Sequence, residues 1–411
     1  RRVLFRSLRP NAGIGTVTIG SVTTTGDQNF TQNINIAGGI QSSAGKLTFG
    51  GKAYITGDSS LSTSAGNPVN FQNTIDGDNS LAITSDGTVT FGGSIGVVAP
   101  LKSISVTASK TMFPVVSVAT VSTYGPQSYS GDAWINGVIQ SLDKSVNFKG
   151  SLHLAGASYV TSKSDEVVFD ATINGDQTLS VTAQTSIRFN DRIGDSVPVA
   201  GLTLAAPIVT SNSRITLSGA SANAQPNGLV ISDGSSVNFT ATGSAVSGFQ
   251  ESGILFTGDS LNSQLSGFII SENIGSGMNF ASAKGNATNL SGTIVSGNTI
   301  IGNVGFGIEF SAPVSGLQLR QNVIGQAGSA NPWGLVSGGP NTHGIVLAAG
   351  AYPGTVIASN TIRSNRRDGI YAPGRVASLT IEGNTIQNNG APGLEFFTGN
   401  LDRKSTRLNS S

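Results

Sequence analysis

Ala358-Ser359-Asn360-Thr361-Ile362-Arg363-Ser364-Asn365, followed by Asp368-Gly369-Ile370, returns as Ile381-Glu382-Gly383-Asn384-Thr385-Ile386-Gln387-Asn388-Asn389, followed by Gly393-Leu394. The step is 24 residues, and it extends upstream: Asn273, Asn298, Asn322, Asn360 and Asn384 stand 25, 24, 38 and 24 residues apart. Glycine-led apolar runs follow, at Gly277-Met278, Gly307-Ile308, Gly344-Ile345, Gly369-Ile370 and Gly393-Leu394. The 38-residue step carries an extra loop around Gly325 to His343. Three short β-branched stretches per repeat cannot bury an apolar face alone, but stacked coils pairing in parallel can. The reading is an all-β parallel β-helix, a solenoid of roughly 24 residues per coil. Asn273, Asn298, Asn322, Asn360 and Asn384 are expected to form one structural ladder, because asparagine tolerates the left-handed backbone and its amide can bond the same atoms one coil away. No capped stretch has apolar residues at helical spacing, so no helix is expected.

The first half carries a longer duplication. Thr74-Ile75-Asp76-Gly77-Asp78 returns 98 residues on as Thr172-Ile173-Asn174-Gly175-Asp176, and Phe91 answers Phe189. Upstream the offset is 99, with Phe30 answering Tyr129 and Phe49 answering Phe148. Within each copy, apolar residues alternate with Ser, Thr or Asn, as in Ser103-Ile104-Ser105-Val106-Thr107, which is the strand period.

Composition narrows the function classes. Of 411 residues 55 are glycine, 11% are charged and none is cysteine, while 37% are hydrophobic. That excludes a disordered linker, disulfides and thiolate chemistry. Residues 1–7 and 402–411 are far more basic than the rest, and back-translation gives one DNA word and its complement, as expected of translated sequencing adaptor. Without them 17 Lys and Arg face 21 Asp and Glu, a net of −4. Such a sparse, slightly acidic surface offers no grip on nucleic acid and at most a peripheral association with membranes. The expected organisation is two duplicated blocks of about 98 residues over 8–210, then the Asn/Gly repeats over 211–401, between the two non-native tails.

The segment from about Gly253 to Asn400 resembles the right-handed parallel β-helix repeats shared by pectate-lyase-type enzymes and many surface proteins. Val89 to Gly96 through Pro100 to Thr107, with its copy from Ile187 to Leu204, resembles repeats of giant bacterial adhesins of the filamentous-haemagglutinin and autotransporter-passenger kind. Together these likenesses imply a right-handed β-helix and a fragment of a large secreted bacterial cell-surface protein, outer-membrane associated when complete, with a structural or adhesive role. Its partner would be a host or environmental polysaccharide or a surface receptor. The alternative they imply is a carbohydrate-active β-helix enzyme, a polysaccharide lyase or glycoside hydrolase.

Chemistry is sparse, and the balance falls against an enzyme. No Asp-Asp pair is present, so the polygalacturonase-like constellation is missing. The two histidines, His153 and His343, lie 190 residues apart, and a metal or triad site would have to be built without them. No catalytic residue, metal site or cofactor is assigned. The best candidate for a saccharide or ligand patch is Arg363, Arg366, Arg367, Asp368, Tyr371 and Arg375, facing Glu382 and Glu395 one coil away, with Trp333 in the long turn available to stack on a sugar ring. Asp58 and Asp76-Gly77-Asp78 suggest calcium, but the copy keeps only Asp176 of the pair, which favours turn use. Open coil edges are expected to drive edge-to-edge self-association of an uncapped segment.

Overall fold

The computed structural model describes residues 16–113, 119–282, 287–325 and 340–396, with the backbone of a two-residue strand at Leu4–Phe5. The chain divides into two compact units, Arg1–Asn190 and Asp191–Ser411. Among the described residues every element is a strand and the architecture is a parallel β-solenoid with about 23 residues per turn, so the expected all-β parallel helix is what the chain forms. Among the described residues no helix is long and apolar enough to cross a membrane.

In the first unit most coils are shorter than the 24-residue step. Lys46 N donates to Asp27 Oδ1 and Lys52 N to Asn33 Oδ1 across 19 residues, while Ser80 N reaches Asp58 Oδ1 across 22. Strict inward-outward alternation, clearest along Ser80–Phe91 and Gln127–Ser141, puts one apolar side chain per coil at each core position. At one position that residue is aromatic in each coil from Phe30 to Phe189. Phe30, Phe49, Phe71, Phe91 and Phe113 stack with centroids 4.5–5.6 Å apart, Tyr129 meets Phe113 edge-on, and Phe148, Phe169 and Phe189 continue the column. The two aligned halves of the duplication are thus successive parts of one interior stack. Asp58 and Asp76 serve turns: Asp76 Oδ1 accepts from Val98 N and Ala99 N, and Asp58 Oδ1 from Ser80 N.

In the second unit each coil has three strand positions, as in Ile370–Ala372, Val376–Glu382 and Thr385–Gln387. Buried asparagines flank the last of these on both sides. Asn298, Asn322, Asn360 and Asn384 form one ladder, each Nδ2 donating to the next Oδ1 at 3.0 Å. Asn273 is not in it. It heads a second ladder, Asn273, Asn303, Asn341, Asn365 and Asn389, linked at 2.8–3.2 Å. Its step to Asn303 is 30 residues, because that coil is longer, and the 25-residue spacing to Asn298 merely mimics a coil. The asparagines themselves do not take the left-handed conformation. The residue before each of them except Asn341, which follows Pro340, does so, at Glu272, Gly297, Gly302, Gln321, Ser359, Ser364, Gly383 and Asn388, with φ between 54° and 68°. That bend turns the following asparagine inward, where its amide satisfies both the next rung and a carbonyl of the preceding coil, as Asn322 Nδ2 does with Val295 O.

A column of glycines presses on the second ladder. A Cβ at Gly277, Gly307, Gly344 or Gly369 would meet a carbonyl oxygen of the next coil's glycine at 2.4–2.7 Å and an isoleucine Cγ2 at 2.5–2.6 Å. The Gly-apolar runs of the sequence therefore mark the place where backbone packs on the asparagine corner.

Candidate functional site

Beside these glycines lies a group of ionisable side chains, His343, Arg367, Asp368 and Glu395. Three strands place them: His343–Leu347, Ile370–Ala372 and Leu394–Phe396, in register with Val346 opposite Tyr371 and Tyr371 opposite Glu395. His343-Gly344-Ile345 therefore overlies Asp368-Gly369-Ile370. His343 Nδ1 lies 2.9 Å from Asp368 Oδ2, although the contact is not aligned as a hydrogen bond. The imidazole sits between Phe306 of the preceding coil, 5.6 Å away and tilted, and Tyr371 of the following coil, 4.9 Å away and stacked. Asp368 and His343 are only 3% and 5% exposed.

Burial holds the His343 imidazole below its ordinary pKa; Asp368 pulls the other way and Arg367 adds to the lowering. The Glu395 carboxyl is raised above its ordinary value, chiefly by the nearby Asp368, with Arg367 opposing. The site is thus a buried imidazole, a buried carboxyl group, a second carboxyl group at the surface and one guanidinium.

Of the patch expected from the sequence, the fold brings together Arg367, Asp368, Tyr371 and Glu395. Arg366 occupies the exposed corner, its N–H donating to Asn341 O. Arg363 belongs to a different sheet, opposite Gly325 and Gln387, and Glu382 pairs with Ala358 on another strand of the coil. Arg375 lies before that strand, where its carbonyl accepts from Gly350 N. A 24-residue register puts residues in the same column only if they share a strand, and these three do not. Trp333 lies outside the described residues. His343, left out of the patch expected from the sequence, lies beside Asp368. The identical frames His343-Gly344-Ile345 and Asp368-Gly369-Ile370 were the available signal.

A second group went unremarked in the sequence. In the first unit Trp134 stacks on His153 of the following coil at 4.1 Å and 9°, and Lys110 Nζ of the preceding coil lies 3.8 Å from the indole centroid. Both indole faces are therefore covered by the protein's own side chains, leaving no stacking platform. Among the described residues no group of three His, Cys, Asp or Glu side chains is arranged to hold a metal ion.

Comparison with known proteins agrees with this geometry at the level of fold. A family model described as right handed beta helix region matches residues 208–386. Comparisons with curated proteins and with solved structures find no match.

Proposed function

We propose that the chain is a β-helical stalk or passenger segment of a large secreted bacterial cell-surface protein, with a structural or adhesive role. One observation carries the reading: the most catalysis-like group in the fold is spent internally. A lyase or hydrolase needs acid and base groups that reach into an open groove. Here Asp368 and His343 are almost wholly buried, and Phe306 and Tyr371 flank the imidazole on both sides. The repeated positions elsewhere serve stacking, through the aromatic column and the two asparagine ladders, which give length and rigidity without chemistry. Contact with a polysaccharide or receptor then falls to the polar outward faces and turns. The proposed setting is the extracellular side of the bacterial surface.

The competing reading is a carbohydrate-active enzyme, favoured by the juxtaposition of Asp368, His343 and Glu395 and compatible with a scaffold that hosts many functions. Incubating the chain with immobilised neutral and acidic polysaccharides separates the two. Retention on some polymers with no release of soluble sugar is expected, unchanged in Asp368→Asn. Release of oligosaccharides that Asp368→Asn abolishes would establish the enzyme instead.

A further inference from the structure

Successive coils of the first unit present one repeated outward face. Ser62, Thr84, Thr107 and Ser130 stand opposite one another in unbroken register. Two residues earlier on each strand, Ser60, Ala82, Ser105 and Ser128 form a second row. All are exposed or half-buried, and none of the hydroxyls has a hydrogen-bond partner in the protein among the described residues. Parallel pairing sets about 4.8 Å between neighbours in a row, and the rise along the strand sets about 6.7 Å between the rows. Phe49, Phe71 and Phe91 of the same coils stack with 11° and 15° between rings, so successive coils turn little relative to one another and the rows stay straight.

What such a face can hold follows from what it lacks. No charged side chain stands in either row, and the Asp58–Lys102 pair keeps to the turns beside them, so a polyion finds no counter-charge. No aromatic ring stands there either, so a sugar finds no stacking surface. Four coils by two rows cover about 200 Å², against about 800 Å² per partner in a stable protein interface, which is too little to hold a second copy of the chain. Water remains. Fixing one water on one hydroxyl costs entropy, but water already fixed in a crystal is shared at no such cost by hydroxyls that repeat close to the oxygen spacings of an ice surface. The array belongs to the first copy of the duplicated block: in the second, Val138, Tyr159 and Ser180 form the row that answers Ser60 and Ala82, and Tyr159 stands 50% exposed.

We propose that this face of the first unit binds ice through its two rows of unpaired hydroxyls. The proposal adds a ligand to the segment and does not rest on its contact with polysaccharide. Microscopy of small ice crystals grown and annealed in a solution of the full chain tests it. Faceted crystals whose growth halts just below the melting point, and ice grains that do not coarsen, are expected. Thr84→Lys combined with Thr107→Lys sets two long charged side chains in the middle of the array at exposed positions, and should lose both effects while circular dichroism and thermal unfolding stay those of the parent. Gln72→Lys, at an exposed turn outside the rows, should keep both effects. Round, freely growing crystals in the presence of the parent chain overturn the proposal, and so does a folded double variant that shapes ice as the parent does. Sedimentation of the parent with crystalline cellulose or chitin, lost in the double variant without any shaping of ice by the parent, would overturn it in favour of an ordered polysaccharide.

Discussion

Gln28 and Gln127 are the same buried glutamine in two copies of one corner. Each Nε2 donates to a threonine, Thr24 or Thr123, and to a backbone carbonyl, Gln41 O or Gln140 O, at 2.6–3.2 Å. They differ in one atom. Tyr129 donates its hydroxyl to Gln127 Oε1 at 2.8 Å, whereas Phe30 stands at the matching place and Gln28 Oε1 has no partner. A buried acceptor left without a donor costs about 1–3 kcal/mol. Phe30→Tyr is expected to stabilise the first unit by about 1 kcal/mol, and Tyr129→Phe to destabilise it by a similar or larger amount, since it strands a second oxygen. Chemical denaturation of both variants checks the pair, and a destabilised Phe30→Tyr would show that the ring lacks room for its hydroxyl. The Phe30 and Tyr129 equivalence was legible in the 99-residue offset. Its consequence was not, because no sequence pattern shows a ring para-carbon pointing at a glutamine.

The corners of the second unit combine a left-handed residue with an inward asparagine on both ladders, and on the second ladder a glycine packs against the asparagine as well. Each part makes its own prediction. Ser359 holds φ at 55° where the next coil's corner has Gly383 at 59°, so Ser359→Gly should raise stability by about 0.5–1 kcal/mol in thermal unfolding. Gly307→Ala forces a Cβ to 2.6 Å from Gly344 O and Ile324 Cγ2, whereas Gly297→Ala meets only backbone strain at φ 65° with nothing within 4 Å. Calorimetry should find Gly307→Ala costing more than about 2 kcal/mol and Gly297→Ala about 1. Similar costs at both would mean that the glycine column is not close-packed. Asn322→Ala removes the acceptor of Asn298 N and Nδ2 and the donor to Asn360 Oδ1 and Val295 O, for an expected loss of about 2–4 kcal/mol. The repeat itself was readable because asparagine, glycine and β-branched residues return at a fixed step. The second ladder was not, because its steps of 30, 38, 24 and 24 residues are regular only once the longer coils are known. The same irregularity hid His343, whose place over Asp368 depends on where the 38-residue step puts its extra loop.

At the scale of the whole molecule, acid sensitivity falls to two side chains, because each unit holds one histidine. His153 is held below its ordinary value by burial, with Lys110 adding to the effect and Asp132 opposing; His343 is lowered chiefly by burial too. A histidine whose folded pKa is depressed gives stability that is complete above the ordinary value of 6.5 and is lost as pH falls through the folded value. Thermal unfolding between pH 7 and pH 5 should therefore show a midpoint falling by a few degrees, on the order of 2–4 °C. His343→Gln is expected to flatten that limb for the second unit and His153→Gln for the first. The carboxylates do not mimic this effect. Asp58 is lowered chiefly by its hydrogen bonds with Ser80, and Asp195 by those with Arg192 and Arg214, so their contributions persist until the pH drops below the ordinary carboxylate range. A double variant should accordingly lose the fall in midpoint from pH 7 to pH 5 and still lose stability in stronger acid. An undiminished slope above pH 5 in that variant would move the acid sensitivity away from the histidines.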